Sequence, residues 1–275
     1  MSIETAESQD RKIPQAGFAG KLAAALATYA PAIVLFFAVG ISWEVLLGWL
    51  DIPEFLLPKP SVIIARVVAD WPTVFANTLD TMIAAVSGFL LGSAFAVAAA
   101  ILFLYSRLLE RAMFPWAIIL KTVPIVAIAP PLTIWLGFGA APKIVIAALV
   151  SFFPVLVNTV RGLRTVDPLI LEFMALIGAR KLEVFRHARI YSALPYVFSA
   201  MKIGSGSAVL GAIVAEFTGA TTGIGTLIVN ATFRQDSPML FSAIFASCLA
   251  TITLYYIVVY IESLCLFWPG ATEDQ

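Results

Sequence analysis

The sequence predicts an all-α membrane protein with about six transmembrane helices, and composition and the spacing of charges support this prediction. Of the 275 residues, 61% are hydrophobic and only 12% are charged, and the mean hydropathy is +0.96. These values lie outside the range of ordinary soluble globular domains. The charges also avoid several long apolar runs, and about 20 apolar residues are what a helix needs to cross the hydrocarbon core of a bilayer.

Six apolar runs are long enough to cross a membrane. A charge at the centre of a spanning helix costs about 2.5 to 3.5 kcal/mol, so runs with few charges mark the spans. The period-two alternation of outer-membrane strands does not occur in these runs. The predicted spans are residues 29–50, 79–105, 112–136, 142–160, 196–217 and 238–266.

The two ends of the chain are predicted to be cytoplasmic tails. Residues 1–28 begin with a polar stretch that lacks the apolar core and the cleavage site of a signal peptide, so we expect this segment to stay in the mature protein. Residues 267–275 follow the sixth span and form the second tail. An even number of spans then leaves both ends on the same side, with residues 29–266 as the transmembrane domain.

The distribution of basic residues predicts the orientation. With the N-terminus inside, eleven basic residues fall in inside segments and four in outside segments, as the positive-inside rule requires. The polar stretch 161–195 is therefore expected to face the cytoplasm. The inside residues are Arg11, Lys12, Lys21, Arg107, Arg111, Arg161, Arg164, Arg180, Lys181, Arg186 and Arg189, and the outside residues are Lys59, Arg66, Lys143 and Arg234.

The outside loop, residues 51–78, is predicted to contain a short helix at the membrane interface. Pro58 and Pro60 favour an extended start, Ser61 can cap a helix, and apolar residues follow at helical spacing. The loop either holds the first pair of spans at the surface or helps to dock a partner.

Prolines interrupt the third predicted span. Pro124, Pro130 and Pro131 lie within eight residues, and the glycine-rich segment 137–139 follows. Breaks in a membrane helix are tolerated where protein or a cavity covers the freed backbone groups. Either this is an ordinary proline kink, or the helix bends around a translocation path.

The fifth predicted span combines small residues with two ionisable ones. Gly206 and its neighbours would permit close packing or thin the wall of a path. Lys202 near the inner end and Glu216 near the outer end are candidates for function, although both are close enough to an interface to snorkel. Further ionisable residues inside the spans, which could pair with one another, are Glu44, Lys121 and Glu262.

Enzymatic chemistry is not predicted for this chain. The single histidine, His187, has no histidine or cysteine near it at metal-ligand spacing. Cys248 and Cys265 fall in one span about 25 Å apart, too far for a disulfide. No phosphate-binding loop, paired catalytic carboxylates or activated nucleophile is present, so no cofactor is expected on this chain. A net charge of zero gives no reason to expect nucleic-acid binding.

The polar stretch also carries a motif. Glu172 and Gly178 stand six residues apart, Ala179 follows, and the stretch closes with Ala193-Leu194-Pro195. This pattern resembles the cytoplasmic Glu-Ala-Ala motif of ATP-binding-cassette importer permeases. The chain departs from it with Phe173-Met174 in place of two alanines, and with Tyr191 where a proline often stands.

The resemblance extends over about 200 residues. In order, these fragments are similar to the taurine, sulfonate and nitrate permeases, with thiamine-precursor and riboflavin permeases as near relatives. The fragments are Pro58-Lys-Pro-Ser61, Thr122-Val-Pro-Ile-Val-Ala-Ile-Ala-Pro130, Phe152-Phe-Pro154, Gly162-Leu-Arg-Thr-Val-Asp167, Ala215-Glu-Phe217 and Gly223-Ile-Gly225.

The resemblance implies a type I importer in the bacterial cytoplasmic (inner) membrane. Two copies of the chain would form the path, separate ATPases holding ATP and Mg would dock on the loop 161–195, and a periplasmic or lipid-anchored binding protein would deliver solute. The implied coupling residues are Glu172, Ala175, Gly178, Ala179, Arg180, Lys181, Phe185 and Pro195, and the candidate path residues are Pro124, Pro130, Lys202, Gly206 and Glu216.

The solute and one rival function remain open from the sequence. The resemblance favours a small organic anion such as a sulfonate, taurine or nitrate, and the alternative is a thiamine precursor or riboflavin. A rival of another class is an ATP-independent channel or secondary carrier, which would carry more charges inside its spans. For the loop itself, the simplest alternative is a charged segment that only fixes the topology.

Overall fold

The computed structural model describes residues 18–266, with side chains from residue 30 onward. The predicted tail residues 1–17 and 267–275 lie outside this range. Within it, the helices are α1 (Phe18–Trp49), α2 (Pro60–Ala69), α3 (Trp71–Tyr105), α4 (Arg107–Thr122), α5 (Ile125–Leu136), α6 (Ala140–Arg164), α7 (Pro168–Leu176), α8 (Lys181–Val184), α9 (Ile190–Glu216), α10 (Ile224–Phe233) and α11 (Ser237–Cys265).

The all-α, polytopic architecture is confirmed. Five helices in the described range are long and apolar enough to cross a membrane, and the α4–α5 pair makes a sixth if the two are one broken span. The break falls where the prolines predicted a bend: the two helix axes differ by 100°. Pro124 stands at the N-terminal cap of α5, where its missing N–H is not required.

The described chain divides into two compact units. One contains α1 and residues 59–61, and the other contains residues 53–58 and the chain from residue 62 onward. In the first unit, the Glu44 carboxylate accepts hydrogen bonds from the Ser61 hydroxyl at 2.7 Å and from its backbone N–H at 3.0 Å. Because α2 begins at Pro60, Ser61 lies inside the helix and is not its cap, so the predicted capping role is wrong.

The core of the second unit is built by α3, α6 and α9. Gly92 on α3 permits a close approach of α3 to α6, because a Cβ at this position would lie only 2.6 Å from Ser151 Oγ on α6. One apolar cluster includes Phe89 and Val209, and another includes Phe103 and Leu156. The short α2 is held beside α11 by Arg66, whose guanidinium lies 2.7 Å from the Asp236 carboxylate.

The predicted loop 161–195 is mostly helical. Residues 161–164 complete α6, and α7 occupies the middle of the stretch. From Lys181 a continuous 36-residue helix runs to Glu216, through a π-helical turn at Phe185–Arg189. The predicted fifth span starts only at residue 196, because the basic residues on this segment interrupt the apolar run. The helix continues through them because Lys181 and Arg186 are exposed and Arg189 donates to the Leu163 carbonyl.

Candidate functional site

The α7 segment, residues 165–180, is a short helix with a defined start and end. The Asp167 side chain accepts a hydrogen bond from the Leu169 N–H at 2.8 Å, and Pro168 occupies the first helical position. An aspartate cap followed by proline is a strong signal for helix initiation, since both satisfy or remove unpaired N–H groups. The beginning of α7 is therefore encoded locally.

Gly178 ends α7. Its φ of +70° lies in the left-handed region, which residues with a Cβ rarely adopt. The Gly178 N–H donates to the Ala175 carbonyl at 3.0 Å, and the Ala179 N–H donates to the Met174 carbonyl at 2.9 Å. This pair of bonds is the Schellman arrangement, and it turns the chain sharply out of the helix.

The surface of α7 is apolar and uncovered. None of its residues is buried, and the Leu176 side chain is 86% exposed. Glu172 and Ala175 are also exposed, so the motif residues lie on an accessible helix. A contiguous exposed apolar patch on a helix outside the spans indicates an interaction surface. The large exposed apolar residues here are Leu169, Ile170, Phe173, Leu176, Ile177 and Leu182.

The chain after Gly178 is held in place by polar contacts. Glu183 accepts a hydrogen bond from the backbone N–H of Arg180 at 2.7 Å and so caps the next helix. Arg189 donates to the Leu163 carbonyl at the end of α6, at 2.8 Å. Lys181 is exposed at the first turn of α8. These bonds fix the start of α8 and link the helix that follows α7 back to the end of α6.

Two of the implied coupling residues, Phe185 and Pro195, are half-buried on the long helix that leads into the fifth span. Phe185 packs against the cluster around Phe103, and its ring centroid lies 6.0 Å from that of Tyr105. Pro195 lies inside α9 and is half-buried. The position of Phe185 suits a residue that anchors the segment to the membrane domain.

A groove of about 670 Å³ opens where the third span breaks. It is lined by the ends of α4 and α5 together with α6 and α9. Its lining is mostly apolar, with Lys121 as the cation, and the Lys121 ammonium lies 4.8 Å from the centroid of the Phe153 ring. The lining includes Lys121, Thr122, Pro124, Ile128, Phe153, Asn158, Ser207 and Gly211.

The five candidate path residues do not form one site. Pro124 lines the groove, whereas Pro130 is exposed on α5 and is not part of the lining. Gly206 faces α11, because a Cβ there would lie 3.5 Å from the Thr251 methyl group. Lys202 lies 3.0 Å from the Glu262 carboxylate, and Glu216 belongs to a buried polar network at the other end of α9.

Lys143 is at the centre of that network, although the sequence predicted it as an outside residue at the outer end of the fourth span. Only 3% of the residue is exposed. Its ammonium lies 2.5 Å from the Asp80 carboxylate, 3.2 Å from the Glu216 carboxylate and 2.7 Å from the Thr222 carbonyl. The charges at 80 and 216, each near the outer end of a predicted span, were the available signal that a buried cation was needed.

The Glu216 carboxylate also fixes the start of α10. It accepts hydrogen bonds from the Thr81 hydroxyl at 2.8 Å and from the Gly225 N–H at 2.7 Å. Gly223 has a φ of +119°, and a Cβ there would overlap the same carboxylate. The Asn77 side chain accepts from the Gly223 N–H at 2.7 Å. Short α10 is thereby tied to α3 and α9.

No group of three or more histidine, cysteine, aspartate or glutamate side chains in residues 30–266 could hold a metal ion. Cys248 and Cys265 are unpaired and exposed.

Multiple apolar spans, a broken helix beside a groove and an exposed apolar helix between two spans define a membrane permease of the transporter class. The chain belongs to the family of binding-protein-dependent transport system inner membrane components, whose model matches residues 88–264. It is thus the permease component of a binding-protein-dependent ATP-binding-cassette importer, a multi-pass protein of the inner membrane.

Three relatives show the range of the family. The riboflavin transport system permease protein RibX of Chloroflexus aurantiacus is 31% identical over 236 residues, which cover 84% of this chain and 87% of the relative. The formylaminopyrimidine transport permease protein ThiX of Halalkalibacterium halodurans is 28% identical over 236 residues, 86% of this chain and 94% of the relative. A protein of Bacillus subtilis named for aliphatic sulfonates transport, SsuC, is 32% identical over 209 residues, 74% of both chains.

Proposed function

We propose that two copies of this chain form the path of an importer for a small organic anion, such as a sulfonate, taurine or nitrate. ATP and Mg bind to separate ATPase subunits, which dock on the α7 segment. A periplasmic or lipid-anchored binding protein delivers the solute from outside, and both termini of the chain are cytoplasmic. The single observation that carries the docking role is the uncovered apolar surface of α7 between two spans.

An α-helix with an apolar face can be received by a groove on a soluble partner. The α7 segment suits this role because Gly178, Glu183 and Arg189 fix its ends through backbone hydrogen bonds. Motion of a docked ATPase would then be transmitted to α6 and α9 without loss in a flexible linker. A segment that only fixed topology would need neither the cap nor the exposed leucine and phenylalanine side chains.

Co-purification with candidate ATPase subunits tests the docking role. We expect Phe173→Asp to abolish ATPase recovery, because a charge on the apolar face cannot be buried in a partner groove. The matched control is Phe233→Asp, since Phe233 is 85% exposed at the end of α10. Equal ATPase recovery with both variants would disprove the docking role. If no ATPase binds the wild-type chain, an ATP-independent channel or secondary carrier becomes the better proposal.

Lys121 supports an anionic solute. It lies in the groove at the broken span, and among the described residues it forms no ion pair. Lys121 is exposed in this groove, so its charge is accessible to an anion that enters it. The phenyl ring of Phe153 offers an apolar face beside this charge. The groove therefore suits a solute with one acidic group and a small apolar part.

Riboflavin and a thiamine precursor are the alternative solutes, favoured by two of the relatives and by the aromatic ring in the groove. Uptake of labelled taurine, nitrate, an alkyl sulfonate, riboflavin and a formylaminopyrimidine by cells that express the full importer would decide between them. For an anion, we expect Lys121→Met to raise the solute concentration that gives half-maximal uptake about tenfold, because one charged hydrogen bond is lost. Lys121→Arg should retain most of the uptake. The anion proposal would be overturned if a neutral ring compound were taken up and neither Lys121→Met nor Lys121→Arg altered its uptake.

A further inference from the structure

A second hollow, with none of the groove's lining residues, lies at the end of the helices that carry the α7 segment. It has a volume of about 550 Å³, and its walls are predominantly polar. Four arginines from three separate parts of the chain line it, with one carboxylate among them. The lining residues are Leu104, Arg107, Glu110, Arg111, Arg164, Leu171 and Arg189.

Two of the four arginines are held in position. The Arg164 guanidinium lies 2.6 Å from the Glu110 carboxylate, and Arg189 donates to the Leu163 carbonyl at 2.8 Å. For Arg107 and Arg111, both in the first turns of α4, the described residues provide no ion pair. Four guanidinium groups against one carboxylate leave the hollow with a net charge of +3.

Such an excess of positive charge calls for an anion. Guanidinium groups repel one another, and the repulsion is screened less beside a membrane than in free solution. Each planar guanidinium group can donate two parallel hydrogen bonds to two oxygen atoms of a phosphate group. Three of these arginines, Arg107, Arg111 and Arg164, are exposed, so the hollow is accessible to an anion from outside the chain, and α4, α6, α7 and the π-helical turn line its sides.

The position of the hollow indicates the source of the phosphate. Leu104, which lines the hollow, is one residue from Tyr105, where span α3 ends, so a bilayer crossed by α3 would place its headgroups near this level. Beside it, α4 exposes apolar side chains along its length: Leu108 is 80% exposed and Trp116 is 67% exposed. A lipid could place its headgroup in the hollow and its acyl chains along α4. Free phosphate would make no use of this apolar surface.

We propose that this hollow binds the phosphodiester headgroup of an anionic phospholipid in the inner leaflet. The assignment to that leaflet rests on the orientation in the proposed function, in which residues 107–111 and 164–189 face the cytoplasm. Basic pockets between membrane helices on this side are suited to such headgroups. Because Leu171 of α7 lines the same hollow, a bound headgroup also ties the α7 segment to the membrane surface.

Lipid binding to the purified full-length chain tests the proposal. Native mass spectrometry in detergent would compare phosphatidylglycerol with phosphatidylcholine of the same acyl chains. We expect the wild-type chain to prefer phosphatidylglycerol. Arg107→Gln/Arg111→Gln should lower the affinity for that lipid at least about tenfold, because charged hydrogen bonds are lost. The matched control is Arg186→Gln, because Arg186 is exposed in the π-helical turn and does not line the hollow.

A second variant and a competitor separate the remaining possibilities. Arg107→Lys/Arg111→Lys keeps the charge but loses the paired geometry, so we expect an intermediate affinity and an unchanged unfolding temperature. Inorganic phosphate at millimolar concentration should displace little lipid. The proposal is overturned if phosphatidylglycerol binds no better than phosphatidylcholine, if Arg186→Gln weakens it equally, or if free phosphate binds as well as the lipid.

An acidic segment of the ATPase is the rival occupant of the hollow. If Arg107→Gln/Arg111→Gln abolished co-purification of the ATPase but left the lipid preference unchanged, the hollow would be assigned to the ATPase. The lipid proposal would then be overturned. The lipid measurement needs neither ATPase nor solute. Its failure would therefore leave the importer function standing, and a failure of ATPase docking on α7 would leave the lipid result unaffected.

Discussion

The ammonium group of Lys143 lies 3.2 Å from the carboxylate of Glu216, and both side chains are buried. The pair joins α6 to the end of α9, and Asp80 of α3 shares the same ammonium at 2.5 Å. Charges in such a position are tolerated only when they are paired and hydrogen-bonded. The network is therefore a connection between three spans, placed next to the start of α10.

Removing Lys143 should be more damaging than removing the whole pair. Lys143→Met leaves the Glu216 carboxylate buried without a cation, and breaking a buried pair in this way costs about 3 to 5 kcal/mol. We expect Lys143→Met/Glu216→Gln to recover part of this loss, because no unpaired charge remains on α9. Reversible unfolding in mixed micelles would measure it. Equal stability of the single and double variants would show that the pair is not coupled.

Gly223→Ala should disrupt the same network from the other side. A Cβ at Gly223 would overlap the Glu216 carboxylate, and its φ of +119° already disfavours a side chain. We expect a lower unfolding temperature and faster hydrogen exchange at the start of α10. Gly206→Ala is the matched control, because a Cβ there would make only an ordinary contact with Thr251 at 3.5 Å. Similar losses in the two variants would contradict this explanation.

The sequence predicted the spans and the break at Pro124, because apolar runs and prolines are local signals. It could not predict α10, whose ten residues are too few for a span and whose start depends on Thr81, 143 residues before Ile224, and on the folded position of the Glu216 carboxylate. The burial of Lys143 was not predicted for the same reason: its partner Asp80 is 63 residues away. The ends of α7 were encoded locally, but which side chains stay uncovered depends on tertiary packing.

Gly178 should tolerate asparagine better than alanine. The left-handed conformation at φ +70° costs most residues about 1 to 2 kcal/mol, and asparagine adopts it more readily. The site has open space, so the effect comes from the backbone alone. In Gly178→Ala, the Ala179 amide, which donates to Met174, should exchange several-fold faster with solvent. Gly178→Asn should stay near the wild type, and the reverse order would refute this account of the turn.

Lys202 and Glu262 provide the sharpest distinction between a path residue and a structural pair. Their charged groups are 3.0 Å apart between α9 and α11, and both side chains are largely buried. If the pair is structural, each of Lys202→Met and Glu262→Gln should lower stability, with a coupling energy of roughly 1 to 3 kcal/mol in a double-mutant cycle. The exchange Lys202→Glu/Glu262→Lys should then restore both stability and uptake. Restored stability with uptake still lost would instead place Lys202 in the solute path, because a carboxylate at position 202 would repel an anion that the lysine attracts.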